Sequence, residues 1–398
     1  MAFENSKKRK RAAVVLHQQA TDTSKPTNVF RRKEQGRKGT LSIAIPGSII
    51  ANAPGLDLKT ILAGRIARAA SVFCVDEIVI FNDGQNEMTR ERSQNRRPNG
   101  FNSGYQNRND DQAQMRNADE LLELLLKYSE CPPYLRKDLF EFTPDLGKSG
   151  LLQSLDLPHH LKPDEWCQYR EGVAFGPIQS QSDHTSSYKR QKPSQSQAKS
   201  NTSTLVDAGF AVSVPGDIAP YTRVTIKFDS AQKPKDFPYY SAQEGVVDEY
   251  SEPQVTGTQV DSSLPRVEGG YYWGYQVRCV SRLSSVFTEC PFEGGYDVCI
   301  GTSERGQKLA DILDKDSSSS LPSEASHVLL VFGGVAGLEV AVEADPDLSG
   351  KGITRSNVGD LFDFFVNVCP NQGSRTIRTE EALWITLSQL STFIDTAL

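Results

Sequence analysis

What this 398-residue chain lacks narrows its class first. No stretch approaches the roughly 18 consecutive apolar residues of a membrane-spanning helix, so no span is expected. The opening MAFENSKKRKR leads into no apolar run, so no secretory signal is expected either. There are seven cysteines, at positions 74, 131, 167, 279, 290, 299 and 369, and none forms CxxC. That argues against structural zinc and fits a reducing intracellular compartment. His159 and His160 stand as an isolated pair without ligand spacing around them, so no metal is expected. Two phosphate cradles are missing as well. There is no GxxxxGK[ST], and no GxGxxG with an acidic residue about 20 positions on. A nucleotide gripped by its phosphates is therefore not expected.

What is present is uneven. Residues 1–40 carry eleven Lys/Arg against three Asp/Glu, a net of +8 within an overall charge of −6. The segments KKRKR at 7–11 and RRK at 31–33 make residues 1–39 read as a disordered basic tail for nuclear import or RNA contact. A merely solubilising tail is the plainer alternative. Residues 84–118 and 176–204 are almost free of aliphatics and read as flexible insertions.

Between these lie patterned segments. LSIAIPGSII, from Leu41, reads as a strand. Asp57 offers a helix N-cap, and Leu58, Ile61, Leu62, Ile66, Ala69 and Phe73 follow at helical spacing. VDEIVIF, Val75 to Phe81, completes a parallel βαβ unit. Helical patterning returns at DELLELLLKYSE and stops at Pro132-Pro133. Residues 205–300 look all-β and suggest an inserted, OB-like small barrel holding the YYWGYQVRCV run. GTSERGQKLADIL reads as a turn into a helix, and Thr379 as the cap of a final helix.

Two glycine-bearing loops near the end each follow an apolar run. The first is VLLVFGGVAGLE, with Gly333, Gly334 and Gly337; the second contains Cys369-Pro370-Asn371-Gln372-Gly373. Glycine after a strand exposes backbone donors and acceptors without side-chain obstruction. The pair implies a cleft for a nucleoside-containing cofactor. A tight turn alone is the plain reading of the glycines, and a small buried hydrophobe that of Cys369.

At this point LSIAIPGSIIANAP (41–54), GRIARAASVFCVDEIVIF (64–81), residues 271–306 and the two loops together resemble the eukaryotic–archaeal branch of SPOUT RNA methyltransferases. The resemblance implies an α/β fold: a parallel sheet with a C-terminal trefoil knot and an inserted OB-like β-barrel. It implies a core in two parts, 40–168 and 281–398, around an insertion at 169–280. It implies S-adenosylmethionine as cofactor, structured RNA (ribosomal RNA in particular) as substrate, a homodimer, and a nuclear, even nucleolar, location. The methyl acceptor is a base or a ribose. The alternative is a catalytically silent interaction protein in a nuclear RNA-associated complex.

The resemblance also implies roles. Gly333, Gly334, Gly337, the loop Cys369 to Gly373, Thr376, Arg378 and Thr302 would hold the cofactor. Arg68, in GRIARAA, and Arg305, in GTSERG, would act electrostatically at the reacting centre, with Arg65 a structural ion pair. On the barrel, Arg223, Lys227, Tyr272 and Arg278 read as RNA contacts, because aromatics interleaved with basic residues stack and clamp single strands. Trp384 on the final helix reads as an anchor of the homodimer.

Overall fold

A computed structural model describes residues 36–85, 116–178, 202–239, 247, 252–314 and 320–398. Residues 1–35 of the basic tail, most of both polar insertions and most of the Ser317–Ser320 loop fall outside these residues; at the tail's end Arg37, expected to be disordered, is buried and paired with Asp76 at 2.8 Å. Twelve strands are described, in two six-stranded sheets.

The first sheet contains β1 (Thr40–Pro46), β2 (Glu77–Phe81), β9 (Gln276–Val280), β10 (Val298–Lys308), β11 (His327–Val331) and β12 (Phe364–Asn367). Its order is β12-β10-β11-β1-β2-β9, and every pairing is parallel. Every residue of β1 and β2 is buried, as strands covered on both faces require. Helix α1 (Gly55–Val72) links β1 to β2. Pro54 precedes it as N-cap, and Asp57 lies in its first turn rather than capping it. Its buried face is made of small residues, Thr60, Ala63, Gly64, Ala67, Ala69, Ala70 and Ser71, plus Ile66. Of the expected stripe, Ile66 and Ala69 are buried, Ile61, Leu62 and Phe73 are partly buried, and Leu58 stands off the core. Leu58 is 49% exposed.

Helix α2 (Ala118–Glu130) opens with a capping box in which Asn117 and Glu120 satisfy each other's backbone N–H groups. Helix α3 (Leu338–Glu343) follows β11, and α4 (Thr379–Ala397) closes the chain. Buried residues of α4, Leu383, Leu387, Leu390 and Ile394, join Leu41, Ile66, Leu330 and Val366 in the main core.

The second sheet holds β3 (Tyr169–Pro177), β4 (Ser203–Asp207), β5 (Ala211–Pro215), β6 (Arg223–Lys227), β7 (Val255–Thr256) and β8 (Thr258–Val260), in the order β7-β5-β4-β3-β6-β8. Only Gly257 separates β7 from β8, yet they stand at opposite ends of that order. One short run therefore bonds to β5 on one side, in parallel, and to β6 on the other. Gly257 is where the backbones come closest: an added Cβ would lie 2.3 Å from the Ile226 side chain.

Two expectations change here. YYWGYQVRCV leaves the second sheet, and its β9 portion forms the edge of the parallel sheet beside β2. GTSERG is a continuation of β10 rather than a turn, with its register against β12 shifting between Thr302 and Gln307. The glycines make that possible, since a Cβ on Gly306 would stand 2.4 Å from the Val366 backbone.

Candidate functional site

Parallel strands end together, and loops leaving their carboxyl ends make the usual crevice of an open α/β sheet. Here the loops after β11 and β12 and the irregular part of β10 enclose a cleft of about 300 Å³. Phe332, Val368, Ile377 and Ala382 contribute apolar surface. Thr302, Ser303, Asn367 and Thr379 contribute polar groups. Its charged groups are Glu304, Arg305, Glu339 and Arg375.

The first loop is a closed unit. Gly337 N–H donates to the Gly334 carbonyl at 3.0 Å. Gly337 has φ +78°, a left-handed conformation natural to glycine. A Cβ on Gly333 would meet the Gly337 carbonyl carbon at 2.8 Å. These two glycines are thus demanded by the turn itself. Behind Gly334 sits Asp83, 3% exposed, whose carboxylate accepts from the Ser48 hydroxyl at 2.5 Å. Burial pushes the Asp83 carboxyl above its ordinary range, against the lowering effect of the Ser48 hydrogen bond.

The second loop is fixed from two sides. Asn367 Oδ1 accepts from Cys369 N–H at 2.9 Å, while its Nδ2 donates to the Glu304 carbonyl at 2.8 Å. Gln389 of α4 donates to the Val368 carbonyl at 2.9 Å. Thr379 is the first residue of α4 and not its cap, which is Arg378. Its hydroxyl donates to the Gly333 carbonyl at 2.9 Å and joins the two loops.

Of the residues singled out in the sequence, Thr302, Arg305, Gly333, Gly334, Gly337, Cys369, Gln372 and Thr376 line the cleft. Pro370, Asn371 and Gly373 lie in the same loop but outside that lining. Arg378 lines an adjoining hollow of about 450 Å³, which shares Gly334, Val335 and Thr376 with the cleft. Arg65 lines that hollow too. Arg68 turns away and donates to the Leu155 carbonyl at 2.8 Å. Arg68, expected at the reacting centre, does not line the cleft, and Arg65, expected in an ion pair, lines the adjoining hollow.

The four residues read as RNA contacts are engaged otherwise. Arg223 joins Glu130 at 2.6 Å and Glu171 at 2.7 Å. Both carboxylates are buried, so this is a clamp between α2 and the second sheet. Lys227 pairs with Glu268 at 2.9 Å. Arg278 pairs with Glu77 inside the parallel sheet at 2.9 Å. Tyr272 is buried, and its hydroxyl donates to the Val75 carbonyl at 2.7 Å, so it offers no ring face to a base.

Glu339 is not among the residues singled out in the sequence. It is buried, lines the cleft and accepts from Arg305 at 3.0 Å. Its place directly after the glycine loop was the available signal. No group of three or more potential metal ligands occurs among the described residues, and none of their helices is long and apolar enough to cross a membrane.

Comparison with known proteins agrees in kind. The profile of a family described as putative RNA methyltransferase matches residues 40–390. A mouse protein named 28S rRNA (uridine-N(3))-methyltransferase is 41% identical over 363 residues, covering 90% of this chain and 78% of its own length. A human protein of the same name is 39% identical over 362 residues, covering 90% and 80%. A putative methyltransferase of Caenorhabditis elegans is 31% identical over 365 residues, covering 90% and 82%.

Proposed function

The chain belongs to the putative RNA methyltransferase family, and we propose that it uses S-adenosylmethionine to methylate N3 of a uridine in large-subunit ribosomal RNA. The observation that carries this reading is the three-walled cleft at the carboxyl ends of the parallel strands, in a chain 41% identical to a protein named for that reaction.

The residues present fit the cofactor. Phe332, Val368, Ile377 and Ala382 offer apolar surface to a purine, and backbone groups of the two loops offer a donor and an acceptor to its edge. Glu304 supplies negative charge suited to a sulfonium. S-adenosylmethionine brings a methyl group already activated for transfer, so neither a metal nor a covalent enzyme intermediate is required. The protein's work is to hold the acceptor in line and keep it dry, and such positioning is worth effective molarities on the order of 10⁵–10⁸ M. The Asp83–Ser48 pair and the Thr379–Gly333 bond keep the first loop in register with the second.

The C-terminal region is read as the SPOUT trefoil knot. Supporting it, the chain leaves edge strand β12, passes beside Gly333 and returns to the main core through α4. The second sheet is read as an OB-like barrel that carries RNA. Its support is the shared β7–β8 run, together with the Tyr221 ring, 67% exposed. The basic tail favours a nuclear or nucleolar location. A homodimer is read from the apolar hollow beside the cleft.

The test is methylation of unmodified large-subunit rRNA with labelled S-adenosylmethionine, followed by mass spectrometry of the digested nucleosides. Label in 3-methyluridine is the expected outcome. Label elsewhere overturns the uridine N3 assignment. Cofactor binding without any label would leave a silent interaction protein.

A further inference from the structure

Methylation at N3 of uridine poses a problem that a sulfonium donor does not solve. N3 carries a hydrogen and is flanked by two carbonyls, so its lone pair is tied up in the imide until the proton leaves. The negative charge then spreads over O2 and O4. A site for this reaction needs an acceptor at N3 and a donor at a neighbouring oxygen. This requirement rests on the proposed function above.

Among the residues lining the cleft the carboxylates are Glu304 and Glu339. Glu304 is exposed, whereas the Glu339 side chain is 7% exposed. One oxygen of Glu339 accepts from Arg305 Nη1 at 3.0 Å. The other lies against the Gly337 backbone, where an added Cβ would collide with it. Arg305 reaches this pair from β10, with its side chain 63% exposed. Two walls of the cleft therefore meet in an acceptor beside a donor. That is the complement of a uracil imide edge, an N–H beside a C=O. Cytosine presents a lone pair at N3 and would face the carboxylate unfavourably.

We propose that Glu339 is the proton acceptor for uridine N3 and that Arg305 stabilises the charge developing on the adjacent carbonyl oxygen. Glu339 takes the N3 proton. The pair left on nitrogen forms the new N–CH3 bond as the S–CH3 bond breaks, and the pair of that bond stays on sulfur as a neutral thioether. Glu339 then gives its proton to solvent. Arg305 holds Glu339 before RNA arrives and turns one of its five N–H donors to the uracil oxygen afterwards. A positioned base contributes about 10²–10⁴-fold, and a preorganised donor at a developing oxyanion about 10²–10³-fold.

The test uses the full chain, rRNA and S-adenosylmethionine. Glu339→Gln should lower kcat for 3-methyluridine formation about 10²-fold or more. Its affinity for S-adenosylmethionine, by calorimetry, should stay within about threefold of wild type. Its residual rate should climb steadily with pH as hydroxide replaces the lost base, and RNA with 5-fluorouridine at the target, whose N3 proton is more acidic, should recover much of the loss. Arg305→Ala should lower kcat without that recovery. A Glu339→Gln enzyme with wild-type kcat overturns the proposal. So does one whose cofactor affinity falls as far as its rate, since Glu339 would then be a cofactor ligand or a prop of the loop. If wild type makes no 3-methyluridine, it is the parent reading that fails.

Discussion

Thr379 and Gly333 lie 46 residues apart and share a hydrogen bond of 2.9 Å, hydroxyl to carbonyl, across the mouth of the cleft. The bond ties the start of the last helix to the first glycine loop.

Thr379→Val keeps the shape and removes that donor. A net hydrogen bond is worth about 0.5–1.5 kcal/mol. Unfolding free energy should therefore fall by about that much, and cofactor affinity should fall with it as the first loop loses its tie to the last helix. Unchanged affinity would mean that the loops do not form the cofactor site.

The loop glycines separate by a cheaper experiment. Gly333→Ala drives a methyl group into the Gly337 backbone, 2.8 Å away. Overpacking of this kind costs about 1–3 kcal/mol, so melting temperature and cofactor affinity should drop together. A Cβ at Gly373 meets no atom within 4 Å. Gly373→Ala should keep the wild-type melting temperature, so any loss of affinity there reads the ligand and not the fold. Thermal melts in the absence of cofactor decide, and equal destabilisation by both would contradict the geometry.

Acid should loosen the junction between α2 and the second sheet. His160 Nε2 donates to the Glu130 carbonyl at 2.6 Å. Burial first, and the neighbouring His159 second, push the imidazole down from 6.5 to about 3. The unfolded chain then binds a proton that the folded one refuses. Stability from His160 is complete above about pH 6.5 and declines as pH falls towards 3. Urea unfolding at pH 7 and pH 5 should show a larger loss for wild type than for His160→Phe. Equal losses would assign the acid sensitivity elsewhere.

How far the sequence could be read depended on the range of each signal. β1, β2, β11 and the glycine loops are local patterns: the strands form where the patterns place them, and residues of both loops line the cleft. Tyr272 and Arg278 were misplaced because YYWGYQVRCV alternates like any strand, and alternation says nothing about which sheet it joins. The places of Arg65 and Arg68 were not legible because much of the buried face of α1 is alanine and glycine, which a search for large apolar residues passes over. Glu339 was missed because its partner Arg305 stands 34 residues earlier in the chain, on β10. Pairings of that kind exist only after folding.

The proposed homodimer can be argued from the hollow beside the cleft. Pro54, Leu58, Ile61, Leu62, Val335 and Ile377 line it, with Arg65 and Arg378. Leu58 is 49% and Val335 80% exposed, and both are large apolar side chains next to a polar cleft. Trp384, the anchor expected from the sequence, has its ring edge-on to Phe73 of the same chain at 5.6 Å. It therefore serves its own core first, and Trp384→Glu should lower the melting temperature. Leu58→Glu is the sharper probe. Its side chain supports little of the fold, yet a charge there would be desolvated against a second copy. Light scattering at micromolar concentration should give about twice 43.9 kDa for wild type and a shift towards one chain for Leu58→Glu. Cofactor affinity of that variant should fall less than its methylation rate, because Arg65 and Arg378 border the cleft from the same side. A mass near 43.9 kDa in a protein that still methylates RNA would remove the dimer from the reading and leave the hollow as an unoccupied face.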